Sequence, residues 1–346
     1  MQQTLRNRDT QKYAKLPPET NRITTGRDQK RAGHAMTTAE RIAAEEISHL
    51  TLVSKSLKDE MLKSFTRRIE LFENVIHFYP QPFTPLSLTA DRCQLSCKHC
   101  NKHYLQHMID TSQNLADVAE QLHNRGTIGI ILSGGSTRDG YVPLYQHTKD
   151  INKIKENTPL LISAHIGMIT KEQAKQLHFL DTALADVIGD NRTIHDILGL
   201  EKTCDDVEKT LKYLNDEKIP IAPHIIVGLS DEGLESELHA LEIAKKYNPI
   251  TLVIVVFIPT PNTPLGDRNL PEISNVIKVI TTARTTLDVP ISLSCVRPGG
   301  RYRQLLDHYA ILGGVDRIAV PSREAYKTTE QLKMKIREHP GLCCPW

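Results

Sequence analysis

The sequence predicts an α/β protein whose strands form a parallel (β/α)8 barrel behind a helical lead-in. Three observations carry this. Strand-like and helix-like segments alternate eight times between residues 86 and 330, and regular βα alternation builds a parallel sheet. Several strand segments are apolar nearly throughout, Leu252-Val-Ile-Val-Val-Phe-Ile258 most clearly, as strands buried on both faces are. Polar residues, glycines and prolines follow the first seven strand segments, at the ends where such barrels carry their functional groups. A doubly wound open sheet is the alternative.

Each element follows from local sequence. Residues 1–35 hold eight Lys/Arg against three Asp/Glu and few large apolar side chains; the segment is expected to be a disordered basic tail. Asp9, Glu19 and Asp28, with no apolar face, argue against a transit peptide. Met36 is a second candidate start. Thr37-Thr-Ala-Glu40 has the form of a capping box and opens a helical lead-in over 36–80, broken near Leu50–Leu57. Pro80-Gln-Pro-Phe-Thr-Pro85 stops helix and introduces the first strand. Strand segments begin near Leu86, Thr127, Leu160, Ala183, Ile219, Thr251, Ile291 and Arg317, giving a barrel domain over 81–330. Residues 331–346 are a tail carrying Cys343 and Cys344.

Composition excludes several classes. With 39% hydrophobic and 24% charged residues and a net charge of +2, the chain looks globular and shows no global basic bias toward nucleic acid. No apolar run reaches the roughly 18 residues of a membrane span. Seven cysteines are an odd number, and three stand at metal-ligand spacing, which points to a reducing, cytoplasmic compartment.

Cys93, Cys97 and Cys100 form C-x3-C-x2-C directly after the alternating segment Leu86-Ser-Leu-Thr-Ala-Asp91. Structural zinc takes four ligands, and His99 between two cysteines would crowd the ion. A ferredoxin-type cluster needs a fourth nearby Cys; the next is Cys204. Three thiolates hold a [4Fe–4S] cluster with one iron left open. The motif and its place after a strand resemble the radical S-adenosylmethionine (radical SAM) superfamily, with His99 where an aromatic residue is usual. The resemblance implies a (β/α)8 TIM-like radical SAM barrel. It also implies a cluster on the three cysteines, SAM on the open iron, and hydrogen abstraction by a 5'-deoxyadenosyl radical.

Other strand ends supply candidates for SAM binding. Gly134, Gly135 and Ser136 end the second strand, where glycine lets a ligand approach the backbone; by resemblance this is the motif that holds the methionine amino group. Ser163 and His165 end the third strand. Asp186 and Asp190 end the fourth, and an unpaired buried carboxylate is costly; a ribose diol is a natural partner, while Asp190 could equally cap the next helix. By resemblance His224, in Pro223-His-Ile-Ile-Val-Gly228, flanks adenine and substrate. Cys295-Val-Arg-Pro-Gly-Gly-Arg301 resembles the strand of biotin synthase whose arginine lies at an auxiliary cluster. Cys295, Arg297, Cys343 and Cys344 are therefore candidates for such a cluster, against two free thiols at a frayed end. The biotin synthase and lipoyl synthase-like subgroup, including the archaeal-type two-subunit lipoyl synthase, implies sulfur insertion. It also implies an electron donor such as ferredoxin or flavodoxin, and a second radical SAM subunit or a lipoyl carrier protein as partner. The alternatives are a carbon-skeleton rearrangement or cofactor-maturation enzyme without sulfur transfer, and a non-catalytic iron–sulfur carrier.

Overall fold

The computed structural model describes residues 36–346; the expected basic tail lies outside the described residues. The lead-in forms two helices, α1 (Thr38–His49) and α2 (Lys55–Phe72). The break falls at residues 50–54, where Ser54 Oγ accepts the Leu57 N–H at 3.2 Å and restarts the helix. The lead-in is not helical to its end, because Val75–Tyr79 is a strand, β1.

The expected alternation follows. It runs β2 (Thr84–Ser87), β3 (Ile109–Asp110), α3 (Leu115–Asn124), β4 (Gly129–Ser133), α4 (Thr148–Asn157), β5 (Leu161–His165), α5 (Lys171–Ala174) and β6 (Thr182–Asp186). It continues α6 (Cys204–Asp216), β7 (Ile221–Val227), α7 (Leu234–Ala244), β8 (Leu252–Val256), α8 (Ile273–Thr286) and β9 (Ile291–Leu293). The chain ends α9 (Gly300–Leu312), β10 (Arg317–Ala319), α10 (Arg323–Gln331) and β11 (Lys335–Glu338).

The strands make one parallel sheet in the order β11-β1-β10-β9-β8-β7-β6-β5-β4-β2-β3. The eight expected strands thus lie side by side in chain order. The sheet is curled: the rings of His165 on β5 and His224 on β7 come within 5.7 Å, although strands two apart in a flat sheet are separated by about 9.5 Å. No strand pairing joins β1 to β2 among the described residues, so the barrel is not closed by a ladder. The link between them contains Pro80 and Pro82, and Pro85 lies in β2 itself; none of the three can donate a ladder hydrogen bond. All five residues of β8 are buried, as a strand covered on both faces requires.

Two features fasten the ends. Asp316, just before β10, lies between the buried guanidinium groups of Arg68 on α2 and Arg284 on α8; burial pulls Arg68 down to about 10 against the pull of Asp316. The C-terminal tail also packs rather than fraying. β11 pairs with β1, His339 N–H donates to the Phe78 carbonyl at 2.8 Å, and Gly341 N–H donates to that of Gln81 at 3.1 Å. Leu342, Cys343 and Cys344 are then buried at the N-terminal end of the barrel. There Phe83 N–H points at Cys343 Sγ (3.1 Å), and the Cys344 carbonyl accepts from Ser292 Oγ (3.0 Å) and Arg317 (3.2 Å).

Candidate active site

The cysteine loop leaves the C-terminal end of β2 and is braced from three sides. Gln94 N–H donates to the Ser136 carbonyl at 2.9 Å, Lys98 N–H to that of Ile197 at 2.8 Å, and Leu265 N–H to that of Lys98 at 3.2 Å. The loops after β4, β6 and β8 therefore hold it. A tight turn, Cys100 N–H and Asn101 N–H both onto the Cys97 carbonyl, draws Cys97 and Cys100 together. All three thiols are half-buried. Cys93 Sγ receives the Ser136 N–H at 3.3 Å, and Cys97 Sγ lies 3.3 Å from the Leu198 carbonyl. Cys97 and Cys100 share a proton: its bond to Cys100, reinforced by burial, pushes Cys97 up, and the same bond, helped by His99, brings Cys100 down to about 4.

The Gly134-Gly135-Ser136 turn supports this loop directly. A Cβ on Gly135 would stand 2.0 Å from the Arg92 carbonyl oxygen and 2.5 Å from Cys93 Cα. The Gly135 N–H is used by Thr89 Oγ1 at 2.7 Å. Gly135 thus cannot carry a side chain without displacing the cysteine loop. Gly134, at φ +150°, makes the sharp exit from β4.

The inward face of β5–β7 gathers three expected residues. His165 and His224 lie ring to ring, and Asp186 is the register partner of His224. His224 Nδ1 donates to the Ala222 carbonyl at 2.9 Å, leaving Nε2 as an acceptor. Burial first, then His165, lowers His224 to about 4, and burial lowers His165 despite Asp186. Both rings are therefore neutral at pH 7. Asp186 is exposed at the mouth, while Ser163 is fully buried one step below His165.

Asp190 does not join them. One carboxylate oxygen accepts the Thr193 N–H at 2.6 Å, and the other accepts the hydroxyls of Ser230 (2.8 Å) and Ser236 (2.5 Å). Burial works against the charge, but these bonds outweigh it and hold the carboxyl below its ordinary value. The helix-capping alternative describes this residue; its oxygens are occupied by protein.

Arg297 is likewise engaged. It is fully buried, pairs through Nε and Nη2 with Asp307, and uses its terminal nitrogens on the carbonyls of Ser294, Ala319 and Val320. It has no donor left for a cluster. Cys295 lies just past β9, and Cys343 and Cys344 are both within electrostatic reach of it. Among the described residues, only Cys97, His99 and Cys100 form a donor set whose atoms all lie within 4.8 Å. Sequence reasoning missed the bracing partners Thr89, Gln94, Ile197 and Leu198, and it gave His99 no ligand role. The C-x2-C turn was the one local signal that His99 would be held at the thiols.

The radical SAM superfamily signature matches residues 87–244. This stretch is similar to radical SAM domains. The matched segment runs from the end of β2 through α7 and contains the cysteine loop and the glycine turn. Curated relatives are biotin synthases: 22% identical over 227 residues to that of Emericella nidulans, and 24% over 224 residues to that of Cytophaga hutchinsonii. The alignments cover 61% and 59% of this chain and 56% and 63% of those relatives, so this chain spans only part of their length. Among solved structures the fold is similar to methylornithine synthase, with TM-score 0.61 at 15% identity over 87% of this chain and 97% of that one. It is also similar to the FeFe-hydrogenase maturase HydG from Carboxydothermus hydrogenoformans, with TM-score 0.57 at 17% identity over 80% and 66%. Members of the matched superfamily use a [4Fe–4S] cluster and SAM. The residues present fit such a group: three half-buried thiols flank the end of β2, and the Gly135 backbone backs the loop. No helix among the described residues is long and apolar enough to cross a membrane.

Proposed function

We propose that this enzyme binds SAM at a cluster held by Cys93, Cys97 and Cys100 and abstracts hydrogen from a small polar substrate in the barrel mouth. The observation that carries the reading is the cysteine loop, with its thiols turned together at the C-terminal end of a barrel strand. Held there by the three cysteines, a cluster with SAM would supply one-electron reductive chemistry for hydrogen abstraction from unactivated C–H bonds. The chain's residues orient and shield. Ser136 N–H donates to Cys93 and helps set its electron density. His224 Nε2 and the Asp186 carboxylate offer acceptors for ribose or substrate hydroxyls, and Ser163 and His165 line the same face. Leu342, Cys343 and Cys344 of the C-terminal tail are buried against the barrel. The partner is a low-potential electron donor such as ferredoxin or flavodoxin.

Sulfur insertion is the finer reading, supported by the biotin synthase relatives. It requires a sulfur source, for which Cys295, Cys343 and Cys344 remain, without Arg297. On this reading a second radical SAM subunit or a lipoyl carrier protein presents the substrate. The test is anaerobic reconstitution with iron and sulfide analysis, followed by SAM and dithionite. Formation of 5'-deoxyadenosine supports the enzyme; iron without it leaves only a carrier. More than four irons per chain supports sulfur insertion, and four moves the reading to rearrangement or cofactor maturation.

A further inference from the structure

The cysteine loop has a second capacity that a three-thiolate cluster does not use. The ligand atoms of Cys97, His99 and Cys100 all lie within 4.8 Å of one another. Donors around one tetrahedral ion, at about 2.3 Å for sulfur and 2.0–2.1 Å for nitrogen, stand a little under 4 Å apart. Small side-chain rotations would therefore close this set on a single ion. The thiolates of a [4Fe–4S] cluster, by contrast, each take a different iron and stand farther apart. His99 Nδ1 is buried and has no hydrogen-bond partner among the described residues, and an orphaned buried nitrogen costs free energy unless something fills its place. The backbone is already turned for this: Cys100 N–H on the Cys97 carbonyl at 3.3 Å makes the C-x2-C knuckle used by zinc sites. Cys93, a half-buried free thiol on the same loop outside the 4.8 Å set, is the remaining donor at hand. Crowding by His99, expected from sequence, does not arise, because the ring lies alongside the thiols.

We propose that the loop binds one borderline-soft divalent metal ion, of the zinc or ferrous type, through Cys97, His99 and Cys100 with Cys93 completing the shell. The three cysteines among these four donors are also the cluster ligands, so ion and cluster exclude each other. The mononuclear form is the state of the chain before sulfide is supplied, and His99 is its distinguishing ligand. Binding releases the remaining thiol protons to solvent, and no electron changes hands.

The experiment uses the full apo chain, anaerobically, with Co2+ as optical probe and Zn2+ as competitor. Wild type is expected to take one Co2+ with thiolate-to-metal charge transfer and tetrahedral ligand-field bands, displaced by Zn2+. His99→Phe should bind at least tenfold more weakly and lose the tetrahedral bands, yet take up iron and sulfide as wild type does. Cys97→Ala should lose both forms. Equal Co2+ affinity in His99→Phe, or a wild-type spectrum without thiolate bands, would overturn the proposal. The outcome is independent of SAM chemistry: a chain that binds Co2+ through His99 but never cleaves SAM would sink the enzymatic reading and leave this one standing.

Discussion

Gly135 shows how one small residue can answer to two demands, a neighbouring loop and a ligand. A Gly-Gly turn after a strand reads as ligand space, but here the space belongs to Arg92 and Cys93 on another loop. Gly135→Val should therefore displace the cysteine loop and lower iron uptake in reconstituted protein; full iron with only weakened SAM binding would restore the ligand-space reading. Asp190 was legible as a polar strand end, yet two of its partners, Ser230 and Ser236, lie 40 and 46 residues away, beyond any local pattern. Asp190→Ala strips three hydrogen bonds to a carboxylate and should cost about 1.5–3 kcal/mol of stability, measured by urea unfolding, with SAM affinity of the reconstituted enzyme unchanged. A tenfold loss of SAM affinity at unchanged stability would instead make it a ribose ligand.

At the scale of elements, the eight central strands were readable because burial on both faces leaves an apolar run such as Leu252–Val256. β1 and β11 were not. Val75–Tyr79 follows helix α2 almost without punctuation, and Lys335-Ile-Arg-Glu338 is charged and mostly exposed. It becomes a strand because the edge of β1 offers unpaired backbone groups, a long-range cause with no local signature. The junction is marked by His77, whose Nδ1 lies 2.8 Å from His339 Nε2. Burial, with Arg317 next, lowers His77 from 6.5 to about 3. The unfolded chain therefore binds this proton first: stability is full above about pH 6.5 and falls as pH drops toward 3. His77→Phe should flatten that acid limb in pH-dependent unfolding; an unchanged slope would mean that His77 takes no part in it.

Over the whole molecule, Asp316 is where lead-in, barrel and late helices meet. It faces two buried guanidinium groups and also accepts the Ile291 N–H at 2.7 Å. Asp316→Ala leaves both cations buried and unpaired and should cost about 3–5 kcal/mol, read from the denaturant midpoint; a loss below 1 kcal/mol would show that water reaches the site. The parallel barrel was legible from alternation, while its failure to close by pairing was not. Closure depends on how the proline link between β1 and β2 meets the tail, and that is a property of the assembled chain.

The central claim is that Cys93, Cys97 and Cys100 hold the cluster on which SAM is cleaved. The most direct measurement is the 5'-deoxyadenosine yield of anaerobically reconstituted wild type and of the triple Cys→Ala variant, each with SAM and dithionite and each checked for folding by circular dichroism. The account expects a clear yield from wild type and none from a folded triple variant that has lost its iron. Equal yields from the two proteins would contradict it.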